Sequence, residues 1–335
     1  MGCWGNSAFL SGTLLPKNRM MSLEPELTEV FVSERGVRKR QRAVQWGDAT
    51  ILSPRGPVAM ASLLDEDYLD GEIVDLGGLK AFLSGLESPP WFFRYSTLAR
   101  LGVCEGAGSF DVDNRSSLRV QDPEYWGKKV VAKDVRENLR RIRREGVEVR
   151  EMPFDRSSCE DISTLFNESP IRQGKRYWHY GKSAAQIQEE LSPLADRSVY
   201  VGAYHRGRLV GFTQVVRLES IGVLRTVHVL GSLVSRKVRP VTAMIDWMVR
   251  YGWEHGFQRI VYGKHDYGNV SNDSLTAFKS RHGFRSEPLR IDYHCLCPQG
   301  AWYLAAGLHR NVREMAPRHL VHFLKKARSR LVSTN

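Results

Sequence analysis

The sequence predicts an α/β (mixed α+β) fold: a mixed, mostly antiparallel twisted sheet flanked by helices on both faces, with a divergent N-terminal part. Three observations carry that expectation. From residue 123 the apolar pattern switches between period 2 and period 3.6, in the order strand, helices, three strands, helix, strand, helix, strand. Two alternating runs, 199–203 and 209–218, flank the turn His205-Arg-Gly-Arg208, a hairpin signal with glycine in the turn. Pro240 then opens a helix in the favoured first-turn position, and Val241, Met244, Ile245, Met248 and Tyr251 fall on one face.

Taken in order, residues 1–45 read as a poorly ordered lead, rich in glycine, serine and charge apart from a short alternation at 28–32. Residues 46–122 form a divergent N-terminal subdomain with short strands at 49–52, 72–76 and 117–120. Pro54-Arg-Gly-Pro57, Gly77-Gly78 and Ser88-Pro-Pro90 separate them. Residues 123–296 are the readable domain. A helix over 123–145 stops at Gly146, and a strand follows at 147–152. Helices are expected at 158–166 and at 184–191, the second halted by Pro193. The hairpin and a third strand at 225–230 come next. The helix opened by Pro240 ends at Gly256 and precedes a strand at 259–262, a short helix at 274–281 closed by Gly283, and a last strand at 289–296. Residues 297–335 read as a basic helical tail, in which Arg318, Lys325, Lys326, Arg328 and Arg330 alternate with Leu320, Phe323 and Leu324.

Composition bounds the function. With 335 residues, 42% of them hydrophobic and 26% charged, the chain is long enough for a substantial core and unlike a collagen or a disordered chain. The longest clean apolar stretches, such as 301–308, are core-sized and fall short of the ~20 residues a membrane span needs. The five cysteines (3, 104, 159, 295, 297) are scattered, which supports neither a zinc site nor a disulfide framework and favours a reducing, cytoplasmic setting. The sequons at Asn114 and Asn167 are irrelevant there. The net charge of +12 is concentrated. Residues 128–150 carry nine Lys/Arg against four acids, and residues 301–335 carry seven against one. Such clusters favour phosphate-bearing partners: a nucleotide cofactor, RNA or an anionic membrane surface. No His-Glu-x-x-His, Walker loop, Gly-x-Ser-x-Gly or strand-linked Gly-x-Gly-x-x-Gly is present.

Three stretches carry a resemblance. They are Lys133-Asp-Val-Arg-Glu-Asn-Leu-Arg-Arg-Ile-Arg-Arg-Glu-Gly-Val-Glu-Val-Arg150, then Leu230-Gly-Ser232 with Pro240 and Asp246-Trp247, and Asn272-Asp-Ser-Leu-Thr-Ala-Phe278-Lys279-Ser-Arg-His-Gly283-Phe284. Their order and spacing over residues 123–296 resemble the GNAT acyltransferase fold and, in detail, its Fem-type (FemAB-like) branch of peptidoglycan-bridge and related N-acyltransferases.

The resemblance implies an N-acyltransferase that moves an acyl group from acyl-CoA, or another activated acyl carrier, to an amine in a small-molecule or cell-envelope acceptor. It implies a cofactor-binding set of Arg236, Lys237, Val238, Arg239 and Val241 after the third hairpin strand, with Asn272 and Phe278. That turn, Ser235-Arg-Lys-Val-Arg-Pro240, has no glycine, so side-chain charge would have to replace the backbone grip on a phosphate. Where many GNAT enzymes place a tyrosine, the Fem-type Phe-Lys pair implies that Lys279 stabilises the developing oxyanion. Glu219 or His228 is the candidate general base, directly or through water. Arg172, Tyr177, Trp178, His179 and Tyr180, in a dense basic-aromatic run, are candidates for binding the acceptor, with Asp266 to grip its amine. No metal is implied. Two other readings stay open: an aminoacyl-tRNA-dependent transferase of the same fold, and a non-catalytic relative that binds nucleic acid or a partner. The basic tail adds peripheral contact with an anionic membrane as an expectation.

Overall fold

The computed structural model describes residues 26–34, 37–54, 59–103, 105, 109–172, 175–266 and 274–309. Its first half is a meander, β1 (Glu26–Glu34), β2 (Val37–Trp46), β3 (Ala49–Leu52) and β4 (Met60–Leu63), in which each strand pairs antiparallel with the next. Helix α1 (Leu76–Ser84) crosses over to β5 (Phe92–Tyr95), which lies parallel to β4, and β6 (Ser109–Arg119) follows.

The second half repeats the device. Helices α2 (Pro123–Tyr125) and α3 (Lys133–Glu145) lead to β7 (Glu148–Glu151). Then come α4 (Arg156–Phe166), a small ribbon of β8 (Ile171–Arg172) and β9 (Lys175–Arg176), and α5 (Ala184–Leu191). Strands β10 (Ser198–His205), β11 (Arg208–Leu218) and β12 (Val223–Gly231) run antiparallel. Helix α6 (Pro240–Glu254) crosses over to β13 (Arg259–Val261), parallel to β12. Helix α7 (Ser274–Arg281), β14 (Arg285–Cys295) and α8 (Pro298–Ala305) complete the described chain.

All strands but the ribbon join one sheet, in the order β1-β2-β3-β4-β5-β14-β6-β13-β12-β11-β10-β7. The centre of that order is an exchange. β6 follows β5 in the chain but pairs with β13, and β14 follows β13 but pairs with β5. β6 and β14 then pair with each other over Arg285↔Ser117 to Tyr293↔Ser109. Each half thus lends its last strand to the other.

Local chemistry explains the elements that frame the site. The β10–β11 hairpin turns on Arg206 (φ 51°) and Gly207 (φ 75°), a two-residue turn whose twist matches the strands. Helix α3 buries Val135, Leu139 and Ile142, spaced as one helical face, and ends on Gly146 at φ 68°. With α6 it covers one face of the sheet, around Trp126, Val201, Val215, Ile245 and Met248. Helices α4 and α5 cover the other face, around Ile162, Phe166, Ile187, Tyr200 and Phe212. The first half reaches across through Tyr68, Leu98 and Leu101, which pack against Val216, Leu218 and Val223.

The mixed, mostly antiparallel architecture with helices on both faces is as the sequence predicts, and α5 and α7 coincide with their expected bounds. Four expectations are corrected. Residues 26–34 and 37–45 are strands β1 and β2, since their alternation is satisfied by pairing with each other; residues 1–25 lie outside the described residues. No strand forms at 72–76, which leads into α1 through Asp75. The helix expected over 123–145 is broken at 131–132, after a wide turn at Trp126–Val130. A boundary at 122/123 does not divide the sheet, because β6 lies between β13 and β14. Of the tail, α8 is described; residues 310–335 lie outside the described residues.

Candidate active site

Strands β12 and β13 pair at three positions, the last being Arg225↔Val261, and then part. The β11–β12 register shifts between Gln214 and Val215, a bulge that leaves Val227 without a partner position and changes the direction of β12 beyond it. Two arms result. His228 lies three residues past the last pair on one arm, and Lys264 three past it on the other.

The β13 arm receives Lys279 from α7. This lysine is fully buried (0% exposed). Its ammonium donates to the Lys264 carbonyl at 2.6 Å and sits 4.6 Å from the Tyr262 ring centroid. A buried ammonium is tolerable only with such oxygen and π partners. His282 fixes the helix that carries it. Its Nδ1 faces the Phe278 carbonyl at 2.8 Å and so bears the proton, leaving Nε2 to accept from the Thr242 hydroxyl at 3.1 Å. Burial pushes the His282 pKa down to about 4, so the ring is neutral. Trp126 donates to the His282 carbonyl from its indole N–H (3.1 Å). Asn114 of β6 holds the loop beyond β13: its Oδ1 accepts from the N–H of His265 (2.8 Å) and of Asp266 (2.7 Å). The Thr276 hydroxyl donates to the His265 carbonyl at 2.7 Å.

The β12 arm faces the cover made by α4, α5 and the ribbon. Beneath that cover His179, Lys182, Glu190 and His228 form a partly buried cluster. The His179 and His228 rings meet edge to face, with centroids 5.1 Å apart, and Phe166 lies against both. Lys182 bridges Glu190 (2.5 Å) and His179 Nδ1 (3.2 Å). Burial pushes His228 down to about 3, and His179 below its ordinary value, so both imidazoles are neutral at pH 7. Burial alone would raise the Glu190 carboxyl, but its contact with His179 and the ammonium of Lys182 hold it below its ordinary value. Below the splay the first half inserts Asp67 between Arg115 (2.9 Å) and Arg225 (3.0 Å), and Asp113 joins Arg115 to Lys264. Burial works against the Asp67 carboxylate; the two guanidiniums outweigh it and hold its pKa well below the usual range.

The splay gathers some of the expected residues and excludes others. Lys279, Asp266 and Phe278 flank the β13 arm; Asp266 is exposed, and Phe278 packs on the α6-side core. His228 and His179 share the cluster on the β12 arm, Tyr177 packs beneath the cover, and Trp178 and Tyr180 are half exposed at its rim. Glu219 is corrected. It lies in the turn after β11 at the opposite end of β12, about 26 Å of strand away from Gly231, with its side chain 65% exposed. Val238 is corrected as a ligand contact: it is buried against Ala203, Val210 and Met244. Asn272 lies outside the described residues. Arg172 is committed structurally, donating to the carbonyls of Gly231 (2.9 Å) and Leu165 (2.9 Å). Sequence reasoning passed over Lys182, Glu190, His282, Glu168 and Asn114. Nothing in their local patterns separates them from solvated helix or loop residues, and only the fold brings them inward.

The resemblance carried by the sequence implies a coenzyme A pyrophosphate in the turn between β12 and α6, and the residues there do not fit one. Residues 232–239 contain no glycine. Pro240 and Val241 sit flush on Gly231, where a Cβ would lie 3.1 and 2.9 Å from them. The Leu233 N–H already donates to the Glu168 carboxylate at 2.7 Å. Arg236, Lys237 and Arg239 are exposed around this turn, and Val241 is half-buried in the core.

This fold is similar to that of a solved crystal structure of FemX. It superposes with a TM-score of 0.55, at 11% identity, over 79% of this chain and 88% of that one. The chain shares the fold of that protein. Weaker overlaps include L-PGS from Bacillus licheniformis (TM-score 0.49, 14% identity, 78% of this chain and 85% of that one). Another is a tandem GNAT protein from the clavulanic acid biosynthesis pathway (0.39, 13%, 82% and 84%). No protein-family model matches the sequence, and no curated protein matches it. Among the described residues no helix is long and apolar enough to cross a membrane, and no group of side chains has metal-binding geometry.

Proposed function

We propose that the splay between β12 and β13 is the reaction centre of an N-acyltransferase. An amine nitrogen forms a bond to the acyl carbon, the bond between that carbon and its oxygen or sulfur carrier breaks, and the amine's proton leaves with the carrier. The observation that carries this reading is the ammonium of Lys279, held dry on the β13 arm. A fixed positive charge in a low-dielectric site stabilises the oxyanion that develops as the amine attacks. The two neutral imidazoles of His179 and His228 suit an environment that keeps an incoming amine uncharged. The half-exposed Trp178 and Tyr180 offer faces to the acceptor, and Asp266 offers it a carboxylate.

One observation favours a donor carried on RNA over acyl-CoA. Helix α3 exposes Lys133, Arg140, Arg143 and Arg144, and it packs against the turn that exposes Arg236, Lys237 and Arg239. The two together make a basic surface beside the splay, fitted to a phosphate backbone. The test uses the full chain with bulk aminoacyl-tRNA, a panel of acyl-CoAs and small amines. Protein-dependent loss of aminoacyl-tRNA with amide formation, falling steeply between 50 and 200 mM salt, is expected. Salt-sensitive RNA binding with no donor consumed would replace this reading with the binding-protein one.

A further inference from the structure

We propose that Glu168 is the built-in ligand of the turn between β12 and α6, and that it closes this turn to the pyrophosphate of coenzyme A. Both carboxylate oxygens are engaged. The Ser232 hydroxyl donates to Oε1 at 2.6 Å, and the Leu233 N–H donates to Oε2 at 2.7 Å. The Ser235 N–H donates to Ser232 Oγ at 3.0 Å, which turns the hydroxyl proton toward Glu168. Arg172 supplies the countercharge from 3.5 Å, its guanidinium fixed by the carbonyls of Gly231 and Leu165. The side chains of Glu168 and Arg172 are only 17% and 10% exposed.

A hydroxyl and a backbone N–H in the turn that leads from β12 to α6 are the kind of donors a phosphate oxygen would need there. They are spent on an internal carboxylate, and a phosphate arriving beside it meets like charge. Displacing Glu168 would strand a partly buried, arginine-paired carboxylate. The same contacts tie the end of α4 and the ribbon to the donor-side turn, so the acceptor cover and the turn are latched together. The exposed Arg236, Lys237 and Arg239 can still draw a polyanion to the rim without admitting a pyrophosphate beneath it. This deepens the acyl-transfer reading by naming a donor class the turn refuses. It is read by binding and not by turnover, so its failure leaves acyl transfer standing.

The experiment is calorimetric titration of the full chain with coenzyme A and, separately, with inorganic pyrophosphate. The wild type is expected to bind both with a Kd weaker than about 1 mM. Glu168→Ala should bind both at least about tenfold more tightly, because the donors and Arg172 become free for phosphate. Glu168→Gln keeps the volume but removes the charge, and should show a smaller gain. Asp75→Ala, which removes the carboxylate at the first turn of α1, should change neither affinity. Thermal melting checks that each variant is folded, and if Glu168→Ala is not, Glu168→Gln decides by the same criterion. Wild-type binding of coenzyme A tighter than about 100 μM, or no gain in a folded Glu168 variant, would overturn the proposal.

Discussion

The two halves of the sheet use one device for different ends. In each, an antiparallel run ends in a short 3-10 turn, Glu66–Tyr68 or Arg236–Val238, and then a left-handed non-glycine residue, Asp75 (φ 52°) or Arg239 (φ 56°). A crossover helix follows, and its return strand pairs in parallel over three positions before the pairing ends. The first-half splay is stoppered from within: Arg94 on β5 pairs with Glu66 from the turn itself, and the Ser96 hydroxyl donates to the same carboxylate at 2.8 Å. The second-half splay is left to α7, which delivers Lys279 instead. A splay is therefore what a parallel crossover leaves behind. The next element decides whether it is filled from within or receives a side chain such as Lys279.

Breaking the stopper should affect stability alone. Arg94→Met leaves Glu66 partly buried without its cation, and urea denaturation should show a loss of about 2–3 kcal/mol with turnover per folded molecule unchanged. A fall in turnover at constant stability would make the first-half splay functional as well.

A second prediction concerns the ring that holds α7. His282 takes up a proton only near pH 4 when folded, against 6.5 for a free histidine. Between those values the unfolded chain binds more protons, so this group contributes stability that is full above pH 6.5 and lost as pH falls. At pH 5 the loss is about 2 kcal/mol. His282→Gln keeps an N–H donor toward the Phe278 carbonyl but does not titrate. It should therefore shrink the difference in melting temperature between pH 7.5 and pH 5. An unchanged difference would mean that His282 is not buried as a neutral ring.

The architecture of the second half was legible because its strands and helices repeat with clean periods and are stopped by Gly146, Pro193, Gly256 and Gly283. The first half was not. Its strands β3, β4 and β5 span four residues each, too short to show a period, and β1 and β2 draw their stability from each other. Lys279 was singled out because a motif carried it, and the fold buries it on the β13 arm. Glu219 misled because a carboxylate at a strand end does not reveal which end of the sheet faces the splay. Glu168, Glu190 and His282 were invisible because their roles depend on partners 64, 11 and 40 residues away, Ser232, His179 and Thr242.

The most direct measurement is the turnover of Lys279→Ala, compared with wild type, in the donor and amine pair found to react. If the second-half splay is the reaction centre and this ammonium meets the oxyanion, kcat should fall on the order of 100-fold with KM little changed. Lys279→Arg should recover little of it, since a planar guanidinium does not replace a point charge in a fully buried site. Near-full activity in a folded Lys279→Ala protein would contradict the account, because the one feature that distinguishes this splay from its stoppered counterpart would then play no part in the chemistry.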